Sequence, residues 1–211
     1  MSACSPGAGE LRRIARLYLA SRRASRALVA TLASAAGGWL LLALSPDRQL
    51  RTLVEITAPL GPAVVIGSST WSPLGEIEDT AGRPLVLLRL LHLGGLLASA
   101  AATLALAGLA ASGANTHWVL VRNLAGYTGL ALIGARLQGP AFASAFCWAL
   151  PVGYASLVFA ASERLERTWA WAGQPASRDS ALAIAVALLA IGLAMILPAR
   201  NWQRASEGEV A

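Results

Sequence analysis

Lysine is missing from this 211-residue chain, and all 17 of its basic side chains are arginine. That absence excludes whole classes of chemistry. A phosphate-binding P-loop relies on a lysine that reaches the β- and γ-phosphates, so the chain houses no Walker site, and Schiff-base catalysis has no amine to use. Charge of either sign is scarce. Charged residues make up 13% of the chain, against about a quarter in soluble domains. The two cysteines, Cys4 in the leading tail and Cys147 inside an apolar run, make no disulfide framework. The opening Met-Ser-Ala-Cys-Ser-Pro has no basic region followed by an apolar one, so no cleavable signal peptide is expected. What the chain does have is apolar surface: 56% of its residues are hydrophobic.

A bilayer core is crossed by about 20 mainly apolar residues in a helix. Six runs of that kind predict spans at Ala27 to Leu44, Leu53 to Trp71, Leu85 to Ala111, Trp118 to Leu137, Ala141 to Ala161 and Ala181 to Pro198. Gln138-Gly139-Pro140 reads as a tight hairpin between the fourth and fifth. Gly61-Pro62 and Pro151-Val-Gly153 are expected to kink the second and fifth spans. Alanine-rich stretches in the third span (98–108) and the sixth suit close helix contacts in lipid, chiefly within the subunit. The fold class is therefore all-α: one polytopic membrane domain over residues 27–198, preceded by a tail and amphipathic segment (1–26) and followed by a short tail (199–211).

Arginine counting sets the orientation. With the amino terminus inside, Arg12, Arg13, Arg16, Arg22, Arg23, Arg26, Arg83, Arg89, Arg136, Arg200 and Arg204 are cytoplasmic, and Arg48, Arg51, Arg164, Arg167 and Arg178 are external. Arg122 falls within the fourth span. Both termini are expected in the cytoplasm. The last external loop, 162–180, carries Glu163, Arg164, Glu166, Arg167, Trp169 and Trp171, and its Glu163 to Trp171 portion reads as a short helix lying at the outer interface, anchored by its tryptophans.

Two polar segments stand out. In the opener, Arg12, Arg13, Arg16 and Arg23 fall within a roughly 100° arc of a helix, opposite Leu11, Ile14, Leu17 and Tyr18. Such a helix lies in the headgroup plane with its arginines on anionic lipid. In the inner loop 72–84, Ser72-Pro73 is a good helix start. Glu76, Glu78 and Asp79 then fall where the helix dipole favours anions. An acidic cluster on the cytoplasmic side opposes the positive-inside trend, and suits a basic groove on a partner.

This ordered set of amphipathic opener, six spans and acidic inner helix resembles the permease of ABC-2 type exporters. Family permeases commonly carry an acidic E-x-E followed by Gly-Thr and a later proline. Glu76-Ile-Glu78, Thr80 and Pro84 match that pattern, while Asp79 stands where the glycine would be. The resemblance implies that Arg12, Arg13, Arg16 and Arg23 belong to an elbow helix. It also implies that Glu76, Glu78, Asp79 and Arg83 form the coupling segment that docks on a separate ATPase, and that the last external loop carries re-entrant or interfacial helices. The expected partners are an ABC ATPase subunit, a second permease in a homodimer or heterodimer, and membrane lipids, with no nucleic acid. The chain itself needs no cofactor; ATP and magnesium belong to the ATPase. The resemblance implies a multi-pass cell-membrane protein that exports an apolar or amphipathic substrate. The alternatives are an ATPase-independent carrier or channel, or a membrane scaffold or immunity protein.

Isolated polar groups within the spans are few. Glu55 lies one helical turn after Arg51, which allows an i,i+4 pair. Glu55 and Arg122 either snorkel to the outer interface or pair along a translocation path, since intramembrane charges mark such paths. His92 and His117 are expected at opposite ends of their spans, which leaves no shared metal site. Gly67-Ser68-Ser69 lacks the G-x-S-x-G elbow. Glu163 and Glu166 have no histidine partners in view. No catalytic residue is assigned.

Overall fold

The computed structural model describes residues 24–45, 47–70, 85–110, 115–137, 143–160 and 169–196, and among these residues it is all helix and connection, with no strand. The helices are α1 (Ala24–Leu44), α2 (Arg48–Thr57), α3 (Leu60–Ser68), α4 (Leu85–Ala110), α5 (Thr116–Leu137), α6 (Ala143–Ala160) and α7 (Asp179–Ile196). Among the described residues of the connector between α6 and α7 is a 3-10 turn, Trp171–Gly173. The elbow residues Arg12, Arg13, Arg16 and Arg23, and the coupling residues Glu76, Glu78, Asp79 and Arg83, lie outside the described residues. So do Glu163, Arg164, Glu166 and Arg167.

Among the described residues four stretches are long and apolar enough to cross a membrane: Ala24–Leu44, Gln49–Ser68, Leu87–Ala110 and Asp179–Ile196. The other two expected spans are helical as well. α6 is an uncharged, apolar helix of 18 residues, whose described side chains are those of Cys147–Ala160. In α5 the length is ample at 22 residues, but Arg122, Asn123, Tyr127 and Thr128 interrupt its apolar character.

Those polar residues are tolerated because α5 is the hub of the bundle. It packs on α3, α4, α6 and α7, and residues on every side of it are buried, from Thr116 and Leu120 through Tyr127 to Leu132. Small residues allow the close approaches. A Cβ at Gly129 would overlap the α7 backbone at Leu188 and Leu189, and one at Gly192 of α7 would come within 2.8 Å of the Gly129 carbonyl oxygen. A Cβ at Gly67 of α3 would stand 2.7 Å from that of Ala131. Backbone contact of this kind is what holds helices together in lipid, where the tails offer no hydrophobic drive between them. Ala181 and Ala185 continue the buried stripe of α7, and Ala100, Leu104 and Ala107 supply that of α4. Both alanine-rich helices thus use small residues for internal packing.

The second expected span keeps helical dihedrals throughout but loses helical hydrogen bonding at one point, and that point falls earlier than the sequence suggested. Pro62 causes no interruption, because it lies in the first turn of α3, where backbone N–H groups have no helical partner anyway. Pro59 is the residue that divides α2 from α3. Its ring nitrogen cannot donate back to the carbonyl of Glu55, four residues earlier, and that carbonyl is released for another partner. By contrast α6 runs through Pro151 as one helix.

Candidate functional site: a charged cleft beside a carbonyl-capped arginine

Three parts of the chain meet at one end of the bundle: α2, the beginning of α5, and the connector 171–175. The released carbonyl of Glu55 accepts a hydrogen bond from Asn123 Nδ2 at 3.3 Å. The same amide nitrogen donates to the carbonyl of Ala172 at 3.0 Å. Pro59 therefore creates an acceptor in one helix, and Asn123 of α5 ties it to the connector.

Arg122 completes the knot. Its Nη2 donates to the carbonyls of Gln174 (2.8 Å) and Ala172 (3.4 Å), and its Nη1 to that of Pro175 (3.2 Å). Its Nε and Nη2 share Asn123 Oδ1, each at 3.2 Å. The side chain is only 5% exposed, so it does not snorkel to an open interface. The flat guanidinium fork suits this arrangement, because several donors can point at several acceptors in one plane. Charge is stabilised here by backbone dipoles. Among the described residues no carboxylate pairs with Arg122, and it reaches Glu55 only through Asn123.

The connector is gripped from its other side by aromatic rings. Trp171, expected at the outer interface, is instead 2% exposed inside the bundle, while Trp169 remains 39% exposed. The Trp171 ring lies on Gly126 of α5, where any Cβ would overlap it. Tyr154 of α6 stacks on Trp171 with ring centroids 5.1 Å apart, and Tyr127 closes on the pair. The Tyr154 hydroxyl donates to the carbonyl of Trp169 at 3.0 Å and accepts from the N–H of Ala172 at 3.2 Å. Ring stacking and hydroxyl bonds fix the start of the connector, and Arg122 with Asn123 fixes its end.

Beside the knot is a cleft of about 730 Å³, lined by Arg51, Thr52, Glu55 and Ile56 of α2, Thr116 and Val119 of α5, and residues 172–175. Thr116 Oγ1 donates to Glu55 Oε1 at 2.9 Å, which orients the carboxylate. Arg51 and Glu55 are neighbours along α2, yet no ion pair joins them. The sequence reading thus placed Glu55 and Arg122 in one region, and the structure puts one on the cleft wall and the other behind it. Asn123, Thr116 and the connector carbonyls were missed. Asn123 had a visible signal, an amide directly after an arginine inside an apolar run, whereas the carbonyls have none in sequence.

The two histidines are far apart. His92 lies on α4 and His117 begins α5 beside Gly108. Sixteen residues of helix between His92 and Gly108 correspond to about 24 Å at 1.5 Å per residue. No group of His, Cys, Asp and Glu among the described residues has the makings of a metal site.

No protein-family model, curated protein or solved structure matches this chain. The class defined by its own fold is, among the described residues, an all-helical protein with four helices long and apolar enough to span a membrane.

Proposed function

We propose that the chain is the membrane-spanning permease subunit of an ABC-2 type exporter in the cell membrane. In this reading the bundle crosses the membrane six times, counting polar α5 and α6, with both termini in the cytoplasm. A polar central helix is acceptable in a bilayer when its polar groups face protein, and in α5 they do. The chain lacks lysine, so ATP and magnesium are handled by a separate ATPase subunit. Closure of that subunit pushes on Glu76, Glu78, Asp79 and Arg83, and the motion tilts the helices of a permease dimer to release an apolar or amphipathic cargo outward. The supporting observation is the connector before α7, which folds back into the end of the bundle with Ala170, Trp171 and Ala172 buried. That is the place where the resemblance calls for a re-entrant segment.

Co-expression with a neighbouring Walker-type ATPase, followed by purification in mild detergent, tests the reading. A stoichiometric complex is expected, lost on Glu76→Arg with Glu78→Arg. A complex that survives the double reversal removes the coupling assignment. The interrupted α2–α3 span favours a second reading, an ATPase-independent carrier, because broken helices build the sites of such carriers. Purification without any ATPase, together with transport that follows an ion gradient, selects that alternative.

A further inference from the structure

We propose that the cleft between α2, α5 and the connector binds a zwitterion bearing a primary ammonium and an anionic phosphate or carboxylate. Four observations carry this. First, Arg51 and Glu55 both line the cleft, and neither is neutralised by an ion pair with the other. Their Cβ atoms, four residues apart on α2, are about 6 Å from each other. Two opposite charges at that spacing suit a short molecule carrying both signs. Second, Thr116 holds only one oxygen of the Glu55 carboxylate, and the other accepts no hydrogen bond among the described residues. It is left to receive an N–H from a ligand.

Third, among the described residues no aromatic side chain lines the cleft. Quaternary ammonium groups are recognised chiefly by aromatic faces, so the wall favours an ammonium that donates hydrogen bonds over a trimethylated one. Fourth, the guanidinium of Arg51 matches a phosphate or carboxylate in a two-pronged contact, and Ile56, Val119 and Pro175 offer an apolar surface for the ligand's carbon atoms. At about 730 Å³ the space lies within the ordinary range of small-molecule sites, about 300–1,000 Å³. The chemistry is shared by a phosphatidylethanolamine headgroup and by free amino-acid-like solutes. Binding here does not depend on an ATPase, so its failure and the failure of the permease reading are separate results.

The test uses the full chain in phosphatidylcholine nanodiscs, titrated with O-phosphoethanolamine and followed by calorimetry. Saturable binding is expected, with phosphocholine and inorganic phosphate each weaker by about tenfold or more, the equivalent of one charge-assisted hydrogen bond. Glu55→Gln and Arg51→Gln should each weaken binding by a similar factor. Glu55→Gln keeps an oxygen for Thr116, which protects the fold. Thr52→Trp, at an exposed position on the cleft wall, should block the site by volume without touching either charge. Phosphatidylethanolamine retained through detergent washing by the native chain, and lost in Thr52→Trp, identifies the lipid as the source. Binding of the soluble probe without such retention identifies a free solute. Absence of saturable binding, inorganic phosphate binding as tightly as phosphoethanolamine, or an unaffected Glu55→Gln variant overturns the proposal.

Discussion

Helices α1 and α5 are nearly equal in length, at 21 and 22 residues, and opposite in how they use their surfaces. In α1 one narrow stripe, Thr31, Ala35, Gly38 and Leu42, is buried against its neighbours. The rest, including Leu32, Trp39, Leu40 and Leu41, is exposed and apolar. In α5 the burial runs all the way round, and the buried set includes Arg122, Asn123, Tyr127 and Thr128. Of these two, the helix that a membrane would accept more readily is thus the one the protein holds less. The helix at the centre is held by protein on every side, and for that reason can carry polar groups. Apolarity here goes with an outward face that no other helix covers, and polarity within an apolar setting goes with burial at the centre of the bundle.

The contrast is broken most severely at Arg122. Replacing it with leucine removes the donors that cap the carbonyls of Ala172, Gln174 and Pro175. Buried acceptors left bare cost about 1–3 kcal/mol each where water does not reach them, and partial relaxation brings the total to about 3 kcal/mol. Thermal unfolding in detergent should show a large drop for Arg122→Leu. Leu40→Ala, on the exposed face of α1, should stay within about 0.5 kcal/mol of the parent, as surface changes usually do. Equal losses at the two positions would mean that the guanidinium cap is not what holds the connector.

A smaller effect is expected at Gly129. The α7 backbone lies where its Cβ would go, and backbone cannot turn aside as a side-chain tip can. Gly129→Ala must push α5 and α7 apart, losing the contact at Gly192. Overpacking of this kind costs about 1–3 kcal/mol, and about 2 kcal/mol is expected by the same unfolding measurement. If alanine is accepted without loss, the two helices are not in backbone contact.

Much of this organisation was legible in sequence, though unevenly. Runs of apolar residues located the described helices, because helix length and an apolar surface leave a compositional trace that does not depend on partners. The exception is the first half of α2, where residues 48–52 are helical although they precede the expected span. Arg122 was conspicuous as a charge in an apolar run, and Glu55 as its near neighbour in depth. The sites that were misread depend on geometry between distant segments. The break was assigned to Gly61-Pro62, but only the helix register shows that Pro62 falls in a first turn and that Pro59 is the one which strips a carbonyl of its donor. Trp171 looked like an interfacial anchor because tryptophan favours that zone. It is buried because Gly126, 45 positions earlier, leaves a flat place for its ring. No local pattern announces such a match.

The gentlest test of the comparison is Gly37→Ala on α1. No atom lies within 4 Å of where its Cβ would go, so nothing in the chain resists a methyl group. In water, replacing a mid-helix glycine by alanine gains about 0.5–1 kcal/mol, because the unfolded backbone loses freedom. In a bilayer the gain shrinks, since a spanning segment stays helical even when the bundle comes apart: its backbone has no other way to satisfy its hydrogen bonds. A stabilisation of at most about 0.5 kcal/mol is therefore expected, opposite in sign to Gly129→Ala. The sign carries the information. A gain or no change leaves this face of α1 against lipid, whereas a clear loss, accompanied by a shift from dimer to monomer in detergent, means that a second copy of the chain packs closely at Gly37 and that α1 is less solitary than α5 makes it look.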